Sequence, residues 1–173
     1  MIRKVKYETT QTQGSTEDGK IQPLADLSRW TVRYHLNYAI NQRWQLKSRI
    51  ELSGYKNGNA DTETGCLLYQ DVACSPFRFP LSLSVRYAIF ETTYNSRVYA
   101  YESDVLYAYS IPMMYGRGTR TYLLATWSPA KNLTIWAKAS RIWYADKETI
   151  GTSPNMIDAN HRTEFKFQVR WKF

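Results

Sequence analysis

The chain has 173 residues, a formal net charge of +8 and 43% hydrophobic residues, with 14 Tyr and 6 Trp. That length fits one domain with one core, and the lack of any run of about 18 apolar residues excludes a transmembrane helix. The positive charge comes without a basic helix, a zinc-ligand spacing or an RNA-binding signature, so nucleic acid is not an expected partner.

The mean hydropathy of −0.52 does not by itself argue for solubility, because a lipid-facing strand alternates with polar positions and raises the average little. The opening "MIRKVKYETTQTQG" lacks the apolar core of a secretory signal. It is expected either of an intracellular protein or of part of a longer exported chain, and the strands that follow favour the second.

Residues 2–13 alternate roughly. "WTVRYHLNYAI" sets Trp30, Val32, Tyr34, Leu36, Tyr38 and Ile40 against Thr31, Arg33, His35, Asn37 and Ala39. "WQLKSRIELSG" sets Trp44, Leu46, Ile50 and Leu52 against Gln45, Lys47, Arg49 and Glu51. Residues 65–74 are rougher, with Leu67 and Leu68 adjacent and Asp71 among them. "PLSLSVRYAIF" returns to clean alternation, Leu81, Leu83, Val85, Tyr87 and Ile89 opposing Ser82, Ser84, Arg86 and Ala88. "TRTYLLATW" is rough again. "NLTIWAKAS" places Leu133, Ile135, Ala137 and Ala139 away from Lys138 and Ser140. The last segment, "TEFKFQVRWKF", puts Phe165, Phe167, Val169, Trp171 and Phe173 on one face and Glu164, Lys166, Gln168, Arg170 and Lys172 on the other.

Period-two patterning throughout, with no sustained helical period, predicts an all-β antiparallel fold of about eight strands. Clean segments of about ten residues have the length a tilted strand needs to cross a bilayer. The links are expected to alternate: long at 14–26, 56–63, 92–117 and 145–161, short at 41–42, 75–79 and 128–131. Long and short links in turn, with an apolar face running to the last residue, predict an up-and-down transmembrane β-barrel, alone or as the C-terminal strands of a larger one. The whole of 1–173 is then a single outer-membrane barrel domain. The Tyr-rich link at about 92–117 lies above the membrane or folds inward as a plug.

Trp44, Trp127, Trp171 and Phe173 fall at the short-link rim, and Trp30 and Trp143 at the opposite rim, as two interface girdles would. Only Trp136 sits mid-strand. The lumen is expected to be lined by Arg33, His35, Lys47, Arg49, Glu51, Arg86, Lys138, Glu164, Lys166 and Arg170. An anion-conducting basic lumen competes with a plug of mutually bonded charges, and the narrow interior of an eight-stranded barrel favours the plug. Cys66 and Cys74 stand at opposite ends of one strand, roughly 26 Å apart, which predicts free thiols. The rival is that "CLLYQDVAC" forms a hairpin or a disulfide-closed loop. Ser153, Asp158 and His161 are a weak acyl-transfer set, with no phosphate loop, metal spacing or cofactor motif beside them, so no enzyme activity, cofactor or metal is expected.

From "RVYAYESDVLYAYSIPMMYGRGTRTYLLATWSPAKNLTIWAKASRIWY" to "TEFKFQVRWKF", the sequence resembles the C-terminal part of a Bacteroidota outer-membrane family whose larger members carry a helix-hairpin-helix segment upstream. That segment is absent here, so a DNA-binding role does not carry over. The resemblance implies an outer-membrane location and a chain that is the barrel end of a longer protein. The terminal Phe173 resembles the signal read by the barrel-assembly machinery, leaving lipid, that machinery and a small solute or surface partner as the expected partners. The function expected is transport or porin-like passage, anchoring or surface interaction. The alternative is a soluble periplasmic β-barrel holding a small apolar ligand, with its apolar faces turned inward.

Overall fold

Eight strands pair in chain order, each antiparallel to the one before. The computed structural model describes residues 2–13, 24–75 and 79–173, with side chains from residue 26 onward. The sheet runs β1 (Ile2–Gln13), β2 (Leu24–Ala39), β3 (Trp44–Asn57), β4 (Glu63–Cys74), β5 (Leu81–Thr92), β8 (Gly116–Ala130), β9 (Leu133–Tyr144) and β10 (His161–Trp171). Between β5 and β8 the chain makes a second, two-stranded sheet from β6 (Val98–Tyr99) and β7 (Met113–Met114). The all-β, antiparallel, up-and-down reading of the sequence is therefore the observed one. No ladder between β1 and β10 is present among the described residues, so these two strands are the edges of the sheet.

The eight strands are 11 to 16 residues long, longer than the clean segments of the sequence. The ladder continues into polar sequence at the long-link rim, as at Tyr55↔Glu63 and Leu27↔Asn57. That extension corrects the expected links. Residues 58–62 between β3 and β4 are fewer than residues 75–80 between β4 and β5, so length does not alternate there. The turn after β3 is tight because Gly58 adopts φ 56° and its amide donates to the Asp26 carbonyl. The expected 14–26 link falls mostly outside the described residues, as do positions 76–78 of the next short one.

Burial alternates along the strands, and the direction is the expected one. On β5, Arg86, Ala88, Phe90 and Thr92 are buried while Val85, Tyr87 and Ile89 are exposed. On β3, Arg49, Glu51 and Ser53 are buried while Ile50 and Leu52 are exposed. On β10, Phe165 and Phe167 are 78% and 71% exposed, and the polar positions between them are half-buried. Charges thus occupy the inner face and apolar side chains the outer one, the inverse of a water-soluble sandwich.

The rough segments have a physical explanation. Leu67 and Tyr69 on β4, Phe90 on β5 and Ile142 and Tyr144 on β9 point inward and form an apolar cluster with Val98, Ala100 and Met114 of the long link. Tyr122 and Leu124 on β8 and Trp136 on β9 form a second, against Val105 and Leu106. Both faces are apolar at these heights, so the alternation in the sequence fades. The segment 65–74 is nonetheless one unbroken strand.

What covers the inner face is the long link itself, folded inward. Ser96, Val98, Ala100 and Glu102 are buried in alternation, with Tyr99 and Tyr101 exposed between them. The Glu102 amide donates to the Ser110 carbonyl at 2.9 Å, and the tip turns where the Ala108 amide reaches the Val105 carbonyl at 3.1 Å. The link is therefore a hairpin laid on the sheet. At its base it passes Gly65, where an added Cβ would stand 2.6 Å from Ser53 Oγ and 2.7 Å from the Ser96 carbonyl oxygen. Only glycine leaves room for that approach.

Candidate functional site on the inner face

The strands deliver cations inward and the hairpin supplies the carboxylates that meet them. Glu102 is wholly buried. Arg120 on β8 donates to its two oxygens at 2.6 and 3.0 Å, and Lys138 on β9 lies 3.5 Å away. Two residues further on, Asp104 accepts from Lys166 on β10 at 2.6 Å and faces Lys138 at 3.3 Å. Burial works to raise the Asp104 pKa. The hydrogen bond from Lys166, the Val105 amide and the charge of Lys138 outweigh it and hold the carboxyl below its ordinary range.

A second set lies toward the other edge. Arg86 donates to Asp71 Oδ1 and Oδ2 at 2.5 and 2.6 Å, and its Nη1 donates to the Tyr101 carbonyl at 2.6 Å. The guanidinium sits 3.8 Å from the Tyr69 ring centroid, a cation–π contact in a dry setting. Glu51 is gripped by Arg33 at 2.5 and 3.1 Å and by Arg49. Arg49 also donates to the Tyr99 carbonyl at 3.2 Å. Near the base, Ser53 Oγ donates to the Ser96 carbonyl at 2.6 Å and Arg29 to the Asn95 carbonyl at 2.9 Å.

One hairpin is thus bonded to β2, β3, β5, β8, β9 and β10, and Ser96 Oγ reaches β4 through the Thr64 carbonyl at 3.0 Å. From Tyr99, held by β3, to Asp104, held by β10, the chain can extend at most about 17 Å. Those strands are five neighbours apart, roughly 24 Å along a flat sheet. The long Arg49 and Lys166 side chains span the difference.

Each inward position expected from the sequence can now be placed. Arg33, Arg49, Glu51, Arg86, Lys138 and Lys166 belong to the two ion-pair sets. Lys47 is half-buried opposite Asp71 in the β3–β4 register. The His35 and Tyr69 rings meet in a T-shaped arrangement, 6.4 Å between centroids. Glu164 pairs with Arg162 at 2.9 Å near the surface, and the Arg170 guanidinium lies 5.3 Å from the Trp136 ring. The sequence reading missed the acids Asp71, Glu102 and Asp104. One signal was available: Glu102 and Asp104 are the only carboxylates in the 92–117 link, facing strands whose inward charges are mostly basic.

On the outer face, Trp44, Trp127, Trp143, Trp171 and Phe173 are exposed, and the Trp30 indole lies across Gly54, its cross-strand partner. Trp136 alone faces in. Cys66 and Cys74 are free, at opposite ends of β4. Ser153 lies in the 145–160 link, and the His161 ring contacts the Asn160 side chain at 3.2 Å. Compared with known proteins, the chain matches no family model, and no curated protein or solved structure is similar to it.

Proposed function

We propose that the chain forms an outer-membrane β-barrel, or the C-terminal strands of a larger one, in which the inserted hairpin narrows the passage for small solutes. The observation that carries this reading is the inverted burial pattern. Leu36, Ile50, Leu68, Val85, Ile89, Leu123 and Phe167 are exposed on β2, β3, β4, β5, β8 and β10 while Arg86, Arg120 and Lys138 on the opposite face are buried. An exterior so largely apolar, interrupted by the Ser48–Gln70 pair and Arg141, is costly in water and favourable in hydrocarbon.

The belts of Trp give the scale. On β3, Trp44 and the Trp30-covered Gly54 are ten residues apart, about 33 Å along the strand. At a tilt of about 40° that is close to the 25 Å apolar height of such barrels. A soluble barrel holding an apolar ligand would need the faces exchanged, and the buried face here carries six of the ion-paired strand cations instead: Arg33, Arg49, Arg86, Arg120, Lys138 and Lys166.

The resemblance to the Bacteroidota outer-membrane family is in accord with this location. Detergent extraction tests it. The protein should partition with membranes and require detergent to be extracted, whereas recovery in aqueous buffer without detergent would end the membrane reading. Passage is tested by swelling of liposomes containing the protein, in which removal of the hairpin should speed solute entry.

A further inference from the structure

Between β2–β3 and the base of the hairpin lies a cleft of about 260 Å³, open on one side and lined by Arg29, Arg33, Glu51, Asn95, Arg97 and Tyr99 among others. Its charges do not cancel. The Glu51 carboxylate is already taken by Arg33 and Arg49. Arg29 spends its contacts on the Asn95 carbonyl and the Tyr55 ring, 5.5 Å from its centroid. Arg97 spends its own on the Tyr94 carbonyl at 2.5 Å and the Tyr99 hydroxyl at 3.0 Å. All four of these partners are neutral, and neither arginine meets a carboxylate within ion-pair distance among the side chains described from residue 26 onward; across the β1–β2 ladder the residue opposite Arg29 is Glu8. Both guanidiniums are held in place with donors to spare, which suits capture of a planar or tetrahedral oxyanion.

Beside them stands a flat, half-exposed ring, Tyr99, with hydroxyl and amide groups of Thr31, Ser53 and Asn95 around the cleft wall. Down the same free side of the hairpin follow Tyr101, Tyr107 and Tyr109, all exposed. An aromatic face with flanking hydroxyls and amides fits the C–H face and hydroxyls of a sugar ring. A bare inorganic anion would have no use for it.

We propose that this cleft binds an acidic saccharide, its carboxylate or phosphate held by Arg29 and Arg97 and its ring laid against Tyr99. The cleft opens on the inner face, away from the apolar exterior, so the ligand is a soluble saccharide and not the headgroup of a lipid in the surrounding leaflet. The proposal names the solute class for the passage inferred above and rests on that reading for its role. Binding itself does not require lipid.

The test is calorimetric titration of the full chain in glycolipid-free detergent with trigalacturonate, a neutral trisaccharide and citrate. Trigalacturonate should bind at least tenfold more tightly than either of the others. Arg29→Gln and Arg97→Gln should each weaken it by about fivefold or more. Tyr99→Leu should weaken it similarly while Tyr99→Phe retains most of it, with unchanged folding by Trp fluorescence. Equal binding of the neutral sugar, equal binding of citrate, or no measurable binding of trigalacturonate by the folded wild-type chain overturns the proposal. Because the titration is done in detergent, its failure leaves the liposome and extraction results standing on their own.

Discussion

Glu102 is closed off from solvent between Arg120 and Lys138. Truncation to Ala leaves the Arg120 guanidinium buried without its two acceptor oxygens. Breaking a buried pair from one side costs about 3–5 kcal/mol. The Arg162–Glu164 pair is about half exposed on each side, and Arg162→Ala should change stability by about 1 kcal/mol or less. Equilibrium unfolding by urea in micelles compares them, and equal effects would mean that the hairpin carboxylate is not holding the sheet.

The two faces of β5 give a residue-scale test of the membrane reading. Leu83 and Ser84 are neighbours on opposite faces. Leu83→Arg should cost about 2–4 kcal/mol in a lipid-refolding assay, and Ser84→Arg far less. Equal sensitivity would overturn the assignment of the outer face to lipid.

At the scale of elements, β4 is the strand most open to a different reading, because its two cysteines sit where a closed loop would place them. Its pairing from Cys66 to Cys74 with both β3 and β5 holds them about 26 Å apart. Titration under denaturing, non-reducing conditions should find two reactive thiols, and finding none would remove the strand.

The hairpin carries the pH dependence. Asp104 has a depressed pKa in the folded state, so its contribution is fully present at neutral pH and is lost only as pH falls through the depressed value. A fluorophore on Tyr109→Cys, in a background lacking Cys66 and Cys74, should report a docked hairpin down to about pH 4. Asp104→Asn should reduce the acid transition that follows. Release already near pH 6, about two units above the ordinary aspartate range, would show that other contacts latch the tip.

These two elements also mark what the sequence disclosed. Strand identity and facing were legible wherever one face is apolar and the other charged, as on β3, β5 and β10. They blurred on β4 and β8, where the hairpin's apolar side packs on Leu67, Tyr122 and Leu124. The inward fold of the hairpin was one of two open readings, because alternation of Ser96, Val98, Ala100 and Glu102 shows that one side is covered but not by what. Ion pairs spanning 18 to 62 residues leave no local trace.

For the whole molecule, the edges decide whether the sheet can live in lipid. Among the described residues β1 and β10 each have one unpaired side, and every unsatisfied backbone group in hydrocarbon costs several kcal/mol. Placed in a bilayer, the edges must therefore close on each other or on further strands. Single cysteines along residues 3–9, combined with single cysteines along 164–169 in a background lacking Cys66 and Cys74, should give an intramolecular disulfide for at least one register after refolding into lipid. A complete scan without one would show that this chain alone does not close.

The hairpin's place in the chain has a further consequence, one of timing. It is made after β5 and before β8, yet Arg120, Lys138 and Lys166, which anchor its tip, all come later. Arg49 and Arg86, which anchor its stem, come earlier. The stem can settle as soon as the first strands exist, but the acidic tip gains its counter-charges one at a time, Arg120 from β8, Lys138 from β9 and Lys166 from β10. Contacts of such long sequence separation form late. Docking of the tip is then a checkpoint on completion: a chain stopped short of β10 would hold Asp104 by Lys138 alone, and one stopped short of β9 would hold it by neither lysine. The same two carboxylates that fasten the finished structure would mark an unfinished one by leaving its central hairpin loose.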